Sequence, residues 1–166
     1  MYDLFSRLGF NCGLISTIEN KYGDVKVPAQ LTTPDAISLQ ALFADMKSEN
    51  VTHVFMEVSS HALHQGRVRN IDFDLAIFTN ITHDHLDYHK TFKEYSYAKK
   101  RFFDDLPKEA FSLINLDDRQ GKVMVQNTRS KVSYYSLRRL TDFKAKILDN
   151  SLSGLQLELD GIEFYS

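Results

Sequence analysis

The sequence predicts an α/β fold: a mainly parallel sheet flanked by helices, with a small antiparallel β segment at its C-terminal end. Three features carry that reading. Apolar residues alternate along the chain between helical spacing and the short continuous runs of buried strands. Polar, chemistry-bearing residues crowd the ends of those runs. From Phe143 onward the pattern changes to strict alternation, with Leu155, Leu157 and Leu159 separated by Gln156 and Glu158.

In order, residues 1–8 set Met1, Leu4, Phe5 and Leu8 at helical spacing, and Gly9 supplies a stop. No capping residue precedes this helix, so the chain is expected to start inside an element. Residues 12–18 read as a strand. Thr33-Pro34-Asp35 is a helix start, with Thr33 as N-cap and Pro34 at the first helical position. Leu39, Leu42, Phe43 and Met46 continue that helix as one apolar face. Residues 51–58 and 75–79 are runs of buried-strand type, with a short helix over 59–66 between them. Residues 91–103 form a second long helix carrying Phe92, Tyr95, Lys99, Phe102 and Phe103 close to one side. A strand over 111–115, a helix over 118–126 and a strand over 132–135 follow. This βαβ rhythm implies parallel neighbours joined by right-handed crossovers. A single domain over residues 1–166 is expected.

Composition narrows the function classes. With 43% hydrophobic and 25% charged residues the chain has the balance of a soluble globular protein. A net charge of −2 with scattered basic residues argues against a nucleic-acid surface. Cys12 is the only cysteine, which excludes an internal disulfide and fits a reducing, cytoplasmic setting. No apolar run approaches the about 20 residues of a membrane span. Asp3 and Arg7 interrupt any signal-peptide core.

In open α/β sheets, ligands collect outside the carboxyl ends of the strands. Three polar clusters fall there. Glu57-Val58-Ser59-Ser60-His61 follows one apolar run. Thr79-Asn80-Ile81-Thr82-His83-Asp84-His85-Leu86-Asp87-Tyr88-His89 follows the next. Gln30-Leu31-Thr32-Thr33 precedes a helix N-terminus, a natural anion site. The second cluster packs three histidines and two aspartates into seven residues, ligand types suited to a divalent cation. Taken singly, each could as well cap a helix or face water; His85 with an acidic partner points to function. Glu57 ends an apolar run, where a carboxylate needs a cation, a donor or a salt bridge. Ser59 and Ser60 read as ligand donors or as the cap of the next helix, Ser60 more readily as a cap than as a contact.

The segments Met56-Glu57-Val58-Ser59-Ser60-His61-Ala62-Leu63, Phe78-Thr79-Asn80-Ile81-Thr82-His83-Asp84-His85-Leu86-Asp87-Tyr88-His89 and Tyr95-Ser96-Tyr97-Ala98-Lys99 together resemble the central domain of the Mur ligases. Thr32-Thr33-Pro34-Asp35 and Ile114-Asn115-Leu116-Asp117-Asp118 fit the branch that adds the third amino acid to the peptidoglycan stem peptide. The motifs span most of the chain in the right order. The resemblance implies a P-loop-type central domain and an ATP-dependent, amide-forming ligase acting on UDP-MurNAc-L-Ala-D-Glu, ATP and a free amino acid. ATP phosphorylates the D-glutamate carboxylate, and the amine displaces phosphate from the acyl phosphate. Mg²⁺ is the implied cofactor, with Glu57, His85 and Lys99 on the metal side. Lys99, carbamylated, and His85 are the implied catalytic residues. Thr32, Thr33, Ser59, Gln65 and Arg67 are implied to hold the UDP-linked substrate.

The sequence also departs from the family pattern. Leu31 stands where many relatives carry a polar residue. The Gly-rich phosphate loop ending in Gly-Lys-Thr is missing ahead of the first helix, so truncation at both ends and an inactive fragment are expected. Alternatives are a folylpolyglutamate synthetase-like ligase, a metal-dependent hydrolase using the His/Asp cluster, and a non-catalytic binding module.

Overall fold

In the computed structural model, which describes residues 1–82, 86–152, 154–159 and 161–165, the chain divides into two units, Met1–Ile71 and Asp72–Ser166. Each is built around its own sheet.

In the first unit, β1 (Cys12–Ile15) pairs in parallel with β4 (His53–Met56) and antiparallel with β2 (Glu19–Tyr22), which pairs in turn with β3 (Val25–Pro28). The expected strand over 12–18 stops at Ile15 because Ser16 turns the chain. Its Oγ donates to the Glu19 carbonyl at 2.8 Å and accepts from the Glu19 N–H at 3.2 Å, a local bond that competes with a ladder. The β2–β3 hairpin has no counterpart in the sequence reading. Its two-residue loop relies on Gly23 at φ 52°, a left-handed geometry that favours glycine.

Helices α1 (Tyr2–Arg7) and α2 (Ala36–Ser48) take opposite faces of the sheet. Phe5 of α1 meets Phe55 edge-on at 5.1 Å, whereas Met46 of α2 lies over Gly13, where an added Cβ would sit 2.7 Å from its sulfur. Leu39 and Met46 are fully buried, as the apolar stripe required. The cap of α2 is Asp35, not Thr33. Asp35 accepts from the N–H groups of Ile37 and Ser38, leaving the buried Thr33 hydroxyl for another task. Helix α3 (Ser60–His64) is capped by Ser59 rather than Ser60, through Ala62 N–H at 3.2 Å.

In the second unit, β5 (Leu75–Phe78), β6 (Phe111–Asn115), β7 (Lys131–Ser136) and the start of β8 (Phe143–Ser151) run parallel. Strands β8, β9 (Gly154–Leu159) and β10 (Ile162–Tyr165) then continue antiparallel. The alternation after residue 143 marks this edge. Helix α4 (Leu86–His89) is short; α5 (Phe92–Asp104) is capped by Thr91 on the Glu94 N–H. Tyr95 and Phe103 of α5 join Ala76, Phe78, Ile114 and Met124 in one core. The helix expected over 118–126 shrinks to α6 (Gly121–Met124). Asp118 spends one carboxylate oxygen on the Gln120 N–H and the other on the Ile81 N–H, which holds the preceding residues in a turn.

Candidate active site

The first unit gathers six of the sequence-predicted site residues. Because β1 and β4 are parallel neighbours with Ile15 opposite Met56, their next residues leave the sheet side by side. Glu57 follows β4, and its N–H donates to the Ile15 carbonyl at 2.9 Å. The exposed Glu57 carboxylate accepts on Oε2 from both the Thr17 N–H, at 2.8 Å, and the Thr17 hydroxyl, at 2.6 Å. Thr17 Oγ1 in turn lies 3.2 Å from Thr32 Oγ1. One hydroxyl has one proton, and an ionised carboxylate only accepts. The single Thr17 proton is therefore shared between a short contact to Glu57 and a longer one to Thr32. Thr32 keeps acceptor lone pairs for a ligand.

Thr33 knits the same corner from beneath. Its hydroxyl, fully buried, donates to the Glu57 carbonyl at 2.8 Å and accepts from the Ser59 N–H at 3.0 Å. Arg67, half-buried, donates through Nη1 to the Thr33 carbonyl at 2.7 Å. Through Nε and Nη2 it grips the Gln65 side-chain oxygen at 2.8 and 2.6 Å. The guanidinium plane is thus fixed by neutral partners, with its positive charge uncompensated by any ion pair among the described residues. Such a fork suits a carboxylate or phosphate. Thr32, Thr33, Glu57, Ser59, Gln65 and Arg67 form one connected network.

Thr17 is the member that sequence reasoning missed. Its signal was the rule already applied to β4 and β5, that polar residues at strand ends carry chemistry. Reading the strand through residue 18 hid Thr17 inside it.

In the second unit Lys99 stands on α5, half-buried, with its Nζ 5.5 Å from the centre of the Tyr95 ring. Burial holds its ammonium below the usual lysine range. Among the described residues Lys99 has no acidic partner, whereas Lys100 pairs with Asp104 at 2.6 and 2.8 Å. His85 lies outside the described residues, as do His83 and Asp84. Among the described residues no group of three or more His, Cys, Asp or Glu side chains could hold a metal.

The ends of β5 and β6 are tied together by Asn115, whose amide donates to the Thr79 carbonyl at 2.7 Å. Beside it, a pocket of about 280 Å³ is lined by Asn115, Asp117, Asp118, Tyr135, Leu137 and Arg138. The Asp117 carboxylate accepts from the Ser136 hydroxyl at 2.6 Å and the Leu137 N–H at 2.7 Å. Those bonds hold its carboxyl below the ordinary aspartate range, the Ser136 bond first.

An open α/β sheet whose strand ends carry a carboxylate, a neutral-held arginine and threonine hydroxyls, that of Thr33 buried, is an arrangement for anionic, oxygen-rich substrates. Residues 1–165 match the Mur ligase middle domain, and the chain belongs to that family. It is 55% identical over 163 residues to the UDP-N-acetylmuramoyl-L-alanyl-D-glutamate--2,6-diaminopimelate ligase of Cytophaga hutchinsonii, covering 98% of this chain and 34% of that relative. The protein of the same name from Bacteroides thetaiotaomicron is 51% identical over the same length, with the same coverage. A solved structure of a ligase of that name superposes with a TM-score of 0.86 at 30% identity, covering 99% of this chain and 34% of that one. The chain therefore spans about a third of the length of these relatives. No helix among the described residues is long and apolar enough to cross a membrane.

Proposed function

We propose that this chain is the central part of a cytoplasmic, ATP-dependent ligase that joins an amino acid to UDP-MurNAc-L-Ala-D-Glu in peptidoglycan synthesis. Diaminopimelate is the proposed amine, because the relatives at 55% and 51% identity carry it in their names. The D-glutamate carboxylate takes the terminal phosphoryl group of ATP. The amine then attacks the acyl carbon, inorganic phosphate leaves with the C–O electron pair, and an amide remains.

The observation that carries this reading is the connected network around Thr33 and Arg67. Arg67 offers a charged fork to a carboxylate or phosphate of the UDP-linked substrate, while Gln65 fixes the plane of that fork. Ser59 and Thr32 are proposed to contact the same substrate. Glu57 fits a hard divalent cation: it is exposed, and among the described residues only Oε2 is bonded, by Thr17. Mg²⁺, when bound, would neutralise repulsion between the reacting anions. His85 is proposed on the same side of the chemistry by family likeness. Lys99 is proposed to carry a carbamate, which forms from the neutral amine that burial favours by lowering the lysine pKa.

The test uses a protein of the relatives' length that carries this chain. Phosphate release should require ATP, Mg²⁺, the UDP-linked dipeptide and diaminopimelate together, and should fall to background when any one is withheld. Arg67→Lys should raise the KM for the UDP-linked substrate by roughly tenfold or more and leave that for ATP nearly unchanged. Glutamate addition to a folate would instead decide for the folylpolyglutamate branch. An unchanged KM in Arg67→Lys would take Arg67 out of the site.

A further inference from the structure

We propose that Thr17 is a positioning residue for the cation site, holding one oxygen of Glu57 so that the other is presented outward. The inference rests on the reading of Glu57 as a cation ligand. A glutamate side chain has three rotatable bonds, so an exposed one samples many orientations and loses that freedom on binding a metal. At Glu57 the loss is largely made beforehand. Two donors from one residue, the Thr17 N–H at 2.8 Å and its hydroxyl at 2.6 Å, converge on Oε2. Oε1 takes no bond among the described residues. The carboxylate is thereby fixed in plane and direction, the preorganisation that a hard cation rewards.

The arrangement is also anchored on both sides. Thr17 leaves β1 where the Ser16 turn fixes the backbone, and Glu57 leaves β4 with its own N–H on the Ile15 carbonyl. Thr33 clamps the Glu57 carbonyl from below at 2.8 Å. Thr32 completes the chain, its Oγ1 lying 3.2 Å from Thr17 Oγ1. A substrate drawing on Thr32 is thus linked through a single hydroxyl to the cation ligand.

The experiment titrates the 166-residue chain with Mn²⁺ alone, read by the free-ion electron paramagnetic resonance signal and by broadening of backbone amide resonances. In the wild type, broadening should centre on Thr17 and Glu57. Thr17→Val, nearly isosteric but without the hydroxyl, should weaken Mn²⁺ binding by roughly five- to tenfold. Thr17→Ser should return it to within about twofold, because the donor is restored. On a Glu57→Gln background, Thr17→Val should change nothing further. Equal affinity in Thr17→Val and wild type, with Glu57→Gln still weakened, would overturn the role of Thr17 and leave Glu57 as a ligand. Failure of Thr17→Ser to restore binding would do the same. Absence of broadening at Glu57 in the wild type, or undiminished binding in Glu57→Gln, would overturn the cation reading and this proposal with it.

Discussion

Lys99 and Lys100 are adjacent on one helix, yet their surroundings differ. Lys100 is neutralised by Asp104, one turn on, in the ordinary manner of a helix surface pair. Lys99 points its stem along Tyr95, is half-buried, and lacks an acidic partner among the described residues. An ammonium so placed is disfavoured, and burial moves its pKa down. The neutral amine can attack CO₂, releasing a proton to solvent and leaving a carbamate whose oxygens suit Mg²⁺. In a protein of the relatives' length, ¹³C-bicarbonate should therefore give a carbamate resonance that disappears in Lys99→Ala, together with most of the turnover. A bare ammonium and full activity in the alanine variant would remove this role. Lysine type and helix face were legible in sequence; the missing counter-ion was not, because it depends on which acids the fold leaves nearby. Thr33 shows the same limit. Its place before a proline reads as a helix cap, and only the approach of β4 reveals that its hydroxyl bridges Glu57 and Ser59.

At the scale of elements, the parallel strands and long helices were readable because each carries many apolar residues in one period. Short elements fixed by local side-chain bonds were not. The Ser16 turn and the delayed start of α6 each depend on one residue's bonding, and the hairpin depends on the left-handed backbone of Gly23. Asp117 is a fourth such device. It ties the loop after β6 to the end of β7 through the Ser136 hydroxyl and the Leu137 N–H, both of them donors. An asparagine can accept through only one oxygen, so Asp117→Asn leaves one donor to solvent and should cost about 0.5–1 kcal/mol at neutral pH. The sign with pH follows from the depressed carboxyl. A carboxyl whose folded pKa lies below its unfolded value adds stability that is fully present above the unfolded pKa. That stability is lost as pH falls through the folded one. Urea unfolding of wild type and Asp117→Asn should thus differ most near neutrality and converge below the ordinary aspartate range. A gap that stays constant into acid would mean the carboxylate charge is not what holds the loop.

For the whole molecule, the family was legible because several motifs occur in the right order over nearly the entire length, and the match over residues 1–165 bears that out. Catalytic completeness is a separate matter. The proposed reaction must hold three substrates at once, and most of its acceleration comes from positioning and charge neutralisation rather than from any one nucleophile. The 166 residues contain no Gly-rich loop ending in Gly-Lys-Thr to cradle the ATP phosphates, and they span about a third of the length of the relatives. The donor network around Arg67 is suited to one anion of the UDP-linked substrate. We therefore expect the chain alone, given ATP, Mg²⁺, UDP-MurNAc-L-Ala-D-Glu and diaminopimelate, to release phosphate at the rate of a blank. Circular dichroism on the same sample should still report mixed helix and strand, which separates an incomplete site from an unfolded protein. Phosphate release that depends on the UDP-linked dipeptide and the amine would show that these residues suffice for chemistry, and the ATP phosphates would then need a cradle among the loops at the strand ends.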